Sequence, residues 1–381
     1  MISILDNKNM KSIQDSGLDL WILISVFLLL GLGISMVYSA SLMKSIAIYN
    51  DQYFILRSQI LWILISIVFF VIVANINYQF YRKFSFILLG FVFFLMLLTF
   101  VPGLSHKVGK ANRWIRIGVF QVQPSEFVKI SLMIYLADFL DRKKSVLQNF
   151  KKGFLPPLLV TGLFTIVITL ENDLGTAMSI LFFVLIILFV SGVSLKQMFF
   201  VGLGVFPLLV VGIVKESYRL KRIFAYLDPW SYPTTIGYNI IQAWKSFHSG
   251  GLFGIGIWQS AHKIWSLPAP HTDFILAVVG EETGLFGIIF LIFLYGVILV
   301  RGFSITLKTS DNYGKILALG ATLIILVQVL INMNVVTGLF PTTGITLPFI
   351  SYGGSSLITS MFCVGILMNV HKNNLERRGR A

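Results

Sequence analysis

The chain has 381 residues, 56% hydrophobic and only 12% charged, with a mean hydropathy of +0.85. Soluble domains carry about 25% charged residues, so the balance excludes an ordinary cytosolic enzyme, a disordered chain and a disulfide-stapled secreted module. The net charge of +14 would suggest nucleic acid in a soluble protein, but in a membrane chain it first reflects cytoplasmic loops, and no nucleic-acid partner is expected.

A helix needs about 20 apolar residues to cross the hydrocarbon. Ten runs approach that length, at about 19–40, 54–74, 84–101, 125–140, 154–171, 174–191, 197–214, 273–300, 315–337 and 352–370. They predict an all-α, polytopic integral membrane protein of about ten transmembrane helices. A single domain covers 1–381, with a short segment 1–18 before the first helix and a tail 371–381 after the last. The first run is too long for a signal-peptide core and is read as a helix. An even number of spans puts both termini on one side. Loops on that side carry Arg82, Lys83, Arg142, Lys143, Lys144, Lys151, Lys152, Lys196, Arg301 and Lys308, and the tail carries Lys372, Arg377, Arg378 and Arg380. Such clustering marks the cytoplasmic side.

Three segments fall on the opposite side, at about 102–124, 215–272 and 338–351, the second being a large loop between the seventh and eighth spans. Loops beyond about 12–15 residues are usually functional or disordered, and the aromatic and glycine content here points to function. Glu126, Glu171, Asp173, Glu216, Asp228 and Asp273 all lie at or near this face. Glu281 and Glu282 lie deeper in the eighth span. On an unbroken helix Glu281 is about 80° around from Asp273 and able to share its cavity. Glu282 is nearly opposite and expected to pair with another helix. The same face holds Lys107, Lys110, Arg113, Arg116, Lys215, Arg219, Lys221, Arg222, Lys245 and Lys263. Translocated loops can escape the charge rule. The sharper reading is an anionic ligand presented from the membrane, such as a lipid pyrophosphate, which Arg and Lys would clamp. The five histidines show no metal-ligand spacing, no G-x-S-x-G elbow occurs, and the glycine-rich run 249–256 reads as close backbone packing.

Four motifs stand out on this face. They are Asn112-Arg113-Trp114-Ile115 with Gln123-Pro124-Ser125-Glu126, then Asp173-Leu174-Gly175-Thr176-Ala177, then Leu267-Pro268-Ala269-Pro270-His271-Thr272-Asp273-Phe274, and finally the string from Pro341-Thr342-Thr343-Gly344 through Leu347-Pro348 to Ser355-Ser356. In this order across ten spans, from about 20 to 371, they resemble the SEDS (shape, elongation, division and sporulation) family of bacterial peptidoglycan glycosyltransferases. The division branch looks closer than the elongation branch. Three places depart from the family pattern: Gly109-Lys110-Ala111-Asn112 in the first motif, Glu171-Asn172 where Gln-Pro is usual, and Ala269 where Glu is usual.

The resemblance implies a reaction at the outer face of a bacterial cytoplasmic membrane. Lipid II would be polymerised into septal glycan strands by inverting transfer, with undecaprenyl pyrophosphate leaving. It makes Asp273 the essential acid, fitting a general base for a sugar hydroxyl. Arg113 and Lys110 are the expected pyrophosphate clamp, and Trp114, Asp173, His271, Glu281, Ser351 and Ser355 the expected substrate contacts. A divalent cation (Mg or Mn) could share the clamp; no other cofactor is expected. Expected partners are a class B penicillin-binding transpeptidase, other division proteins and membrane lipid. A lipid II flippase and an inactive scaffold for a penicillin-binding protein are the competing functions. Plainer roles also stand: helix caps for Asp273 and Asp173, an interfacial ring for Trp114, an i, i+3 pair of Glu126 with Lys129, and small-residue packing for 351–356.

Overall fold

The structure, a computed structural model, describes residues 18–108, 111–117, 120–214, 217–235, 237–260 and 270–379. Every predicted run folds as helix. The order is α1 (Leu20–Tyr49), α2 (Phe54–Asn75), the short α3 (Gln79–Lys83), α4 (Ser85–Leu98), α5 (Pro124–Arg142), α6 (Leu155–Leu170), α7 (Leu174–Val190), α8 (Leu195–Val214), α9 (Ser217–Leu227), α10 (Tyr238–Gly250), α11 (Ile275–Lys308), α12 (Asn312–Val336) and α13 (Gly354–Gly379). Among the described residues, six helical stretches are long and apolar enough to cross a membrane: α1, α2, Phe150–Leu170, α11, α12 and α13 without its last turn, with α4 and α7 shorter but apolar. The chain is a multi-pass membrane protein.

Local chemistry starts the helices where the sequence places polar groups. Asp19, Asp173 and Asp311 cap α1, α7 and α12 by accepting from Ile22, Thr176 and Gly314 N, and Pro124 opens α5, where a missing N–H costs nothing. The buried apolar cluster runs from Ile22 to Val370 and draws heavily on α5, α12 and α13. Large apolar side chains such as Phe27, Ile87 and Phe293 point outward on the periphery. This two-sided burial, protein inside and hydrocarbon outside, explains why the chain is apolar all round.

Two features of the loop-bearing end differ from the sequence expectation. Within 102–124 the chain forms a three-stranded antiparallel sheet, β1 (Ser105–Val108), β2 (Ala111–Ile117) and β3 (Phe120–Val122), with Ile115 paired to Ser105 on one side and Val122 on the other. The eighth predicted span is also not one continuous helix. Gly284 breaks α11 with φ 67° and ψ −164°. The backbone groups freed by the break are taken up by the segment after α10: Leu285 N donates to Gly251 O at 3.0 Å, and Ile255 N and Gly256 N donate to Glu281 O and Glu282 O at 3.0 and 3.1 Å. A Cβ on Gly250 would lie 2.0 Å from Gly280 O, and one on Gly254 2.2 Å from Glu282 O. The glycine-rich run is therefore close backbone packing, as expected.

Candidate active site

Asp273 lies in the turn before α11. It does not cap that helix, because the cap position is Phe274 and no side chain bonds there. The segment 341–352 holds the turn in place. Ser351 Oγ donates to Thr272 O at 2.6 Å and accepts from Leu347 N at 2.8 Å, while Tyr352 N donates to His271 O at 2.8 Å. Asn332 Nδ2, on α12, bridges Asp273 O at 2.9 Å and Ile345 O at 2.8 Å. The half-buried Asp273 carboxylate accepts from Thr272 Oγ1 at 2.8 Å. Burial raises its pKa above the usual carboxylate range, while Thr272 and the charges of Arg113 and Arg222 oppose the rise.

Arg113 reaches this place from β2. Its Nη1 donates to Asp173 Oδ2 at 2.8 Å, and the buried Asp173 also caps α7 by accepting from Thr176 N at 3.1 Å. Cap and ion pair, weighed as alternatives for Asp173, are both present. Burial works against the Arg113 charge, but Asp173, Asp273 and Glu126 outweigh it and hold the guanidinium above its ordinary pKa. Arg113 Nε is buried without a hydrogen-bond partner among the described residues. Arg222, on α9, donates from Nη1 to Thr342 O at 2.8 Å. Gly344 passes beside the Arg113 guanidinium, and Gly175 lets Thr343 sit on the start of α7, where a Cβ would lie 2.7 Å from Thr343 Cβ.

The other expected site residues divide. His271 is buried with Nδ1 unpartnered among the described residues, and burial followed by the charge of Lys44 pushes its pKa down to about 3, so it is neutral at pH 7. Trp114 follows Arg113 on β2, so the strand's period of two sends it to the opposite face. The Ser351 and Ser355 hydroxyls are occupied by backbone, Ser355 Oγ accepting from Gln123 N at 2.9 Å. Glu281 is fully buried and accepts from Ser260 Oγ at 2.5 Å, while Glu282 accepts from Ser39 of α1 and from Trp258 N at 2.9 Å, the cross-helix pairing expected for it. Glu126 and Lys129 form the expected i, i+3 pair at 2.7 Å, inside the bundle rather than on its surface. Lys110, Lys215, Lys263 and residues 267–269 of the third motif lie outside the described residues.

Sequence reasoning missed Asn332 and Lys44. The amides Gln328, Asn332 and Asn334 within the apolar run 315–337 were the available signal for Asn332; nothing local marked Lys44. Among the described residues no three His, Cys, Asp or Glu side chains gather as a metal-ligand set.

A bundle of apolar helices that gathers a half-buried carboxylate and two arginines at its loop-bearing end defines a polytopic membrane protein with a charged cluster at that end. Residues 20–376 match the FtsW/RodA/SpoVE family, described as cell cycle protein, and the chain belongs to that family. It is 40% identical to a probable peptidoglycan glycosyltransferase FtsW of Trichlorobacter lovleyi over 92% of each chain. It is 39% identical to stage V sporulation protein E of Bacillus subtilis, over 93% of this chain and 97% of that one. Among solved structures, a chain of a peptidoglycan synthase complex coordinating polymerization and crosslinking superposes with a TM-score of 0.77 at 26% identity, covering 94% of this chain and 98% of that one. The rod shape determining protein RodA of Thermus thermophilus gives 0.69 at 25% identity, covering 94% and 97%.

Proposed function

We propose that the chain is a peptidoglycan glycosyltransferase that polymerises lipid II during septal cell-wall synthesis. The observation that carries this is the position of Asp273, a half-buried carboxylate in the field of Arg113 and Arg222. Asp273 takes the proton from the acceptor's sugar 4-hydroxyl as that oxygen bonds the donor's anomeric carbon. The bond from that carbon to the pyrophosphate oxygen breaks, and undecaprenyl pyrophosphate leaves with inversion. An anionic leaving group needs cations rather than a general acid. Arg113 and Arg222 supply that charge. The base must be ionised, so the rate falls on the acid side as pH drops through the raised Asp273 pKa.

The reading places the protein in a bacterial inner membrane, with both termini cytoplasmic and Asp273 outside, consistent with the clustering of Lys and Arg in the opposite loops. A class B penicillin-binding transpeptidase is the proposed partner, supported by the likeness to a chain from a complex that couples polymerization to crosslinking. Purified protein given labelled lipid II should yield glycan polymer. Lipid translocation in vesicles with no polymer would favour a flippase instead, and neither activity would favour a scaffold.

A further inference from the structure

Glu171 is a buried acid in the α6–α7 turn, and its surroundings show how an acid fits there. It follows Leu170, the last residue of α6, and is fully buried. Its Oε1 lies 2.7 Å from Thr99 Oγ1, and the same hydroxyl oxygen lies 2.6 Å from Met96 O. Two such contacts need two hydrogens, and a threonine hydroxyl owns one. Whichever contact Thr99 supplies, the other lacks a hydrogen unless Glu171 brings its own. The second carboxyl oxygen, Oε2, is buried with no hydrogen-bond partner among the described residues. An ionised carboxylate would be stranded there at high cost, whereas the carbonyl oxygen of a neutral acid loses far less.

We infer that Glu171 is a positioning residue, a neutral carboxylic acid that donates to Thr99 and ties the end of α4 to the α6–α7 turn, so that Arg113 stays on Asp173. The charged groups acting on it are Asp173 on the same turn and Arg113 from β2. Of the helices packed on α6, α4 and α7 carry no charged side chain, and α5 brings the closed Glu126–Lys129 pair at this end. Burial pushes the Glu171 carboxyl up to about 8, with Asp173 adding to the rise and Thr99 and Arg113 opposing it. While Glu171 is neutral, Asp173 is the turn's only carboxylate. Once ionised, Glu171 repels Asp173, competes for Arg113 and leaves the single Thr99 hydrogen to serve both Met96 O and the carboxylate.

The structural part stands without the glycosyltransferase reading; only the effect on rate rests on it. Purified full-length protein in detergent gives three readouts. Infrared spectra at neutral pH should show a protonated-carboxyl band that Glu171→Gln removes. Because the folded pKa lies above the unfolded one, wild-type thermal stability should be greatest in acid and fall as pH rises toward about 8. Glu171→Gln, which keeps the shape and a hydrogen for Thr99, should remove that slope. Lipid II polymerisation should fall several-fold as pH rises through about 8 in wild type, while Glu171→Gln keeps the neutral-pH rate and loses the alkaline fall. An unchanged infrared band in Glu171→Gln, or the same alkaline losses in both proteins, overturns the inference. Absence of polymer from every variant at every pH counts against the glycosyltransferase reading, and the infrared and stability readouts then decide on Glu171.

Discussion

Asp173 gives the most quantitative test of how the loop-bearing end is held. Its carboxylate does two separable things: it pairs with Arg113 at 2.8 Å and caps α7 through Thr176 N at 3.1 Å. Losing the cap costs about 1 kcal/mol. Breaking a buried ion pair from one side costs about 3–5 kcal/mol. Here Asp173 is 1% exposed but Arg113 is 21% exposed, which favours the lower end of that interval. Asp173→Ala should therefore destabilise by about 4 kcal/mol. Asp173→Asn keeps a good cap and an oxygen for Arg113, and should cost about half as much. Denaturant unfolding of the purified protein in detergent, with Arg113→Ala and the double variant closing a cycle, measures each part. The coupling energy should be about 2 kcal/mol. Equal losses for Asp173→Ala and Asp173→Asn would refute the capping role, and a coupling near zero would refute the pair.

Two further substitutions probe the scaffold. Gly284→Ala should cost about 3 kcal/mol in the same assay, since Gly284 has φ 67° and a Cβ would lie 2.4 Å from Gly254 N and 2.5 Å from Leu252 O; unchanged stability would mean that the break in α11 is not held by this contact. Asn332→Leu leaves the carbonyls of Asp273 and Ile345 without their shared donor, and should cost about 2–4 kcal/mol. It should also lower kcat for lipid II polymerisation more than it raises KM. A change in KM alone would show that Asn332 does not position the carboxylate.

The helices were legible because crossing hydrocarbon demands long apolar runs, and each of the ten runs folded as helix. The sheet was not. Its outer strands, Ser105–Val108 and Phe120–Val122, are too short for alternation to register against the helices around them. The break at Gly284 was hidden for a different reason. An isolated glycine is tolerated in many helices, and what stabilises this break is backbone exchange with the segment after α10. At the site, Asp273, Arg113 and Asp173 were visible as motif residues, but their pairing was not, since Arg113 and Asp173 are distant in sequence. Ser351 and Ser355 stood out as possible substrate contacts, and the structure uses both hydroxyls to fasten backbone.

The most direct test of the chemistry is the initial rate of lipid II polymerisation by purified Asp273→Asn at the wild-type pH optimum. The amide preserves size and can still accept from Thr272, but it cannot take a proton. Loss of a general base should lower the rate by at least about 100-fold while lipid II still binds. Polymer formed by Asp273→Asn at the wild-type rate would remove this carboxylate from the reaction.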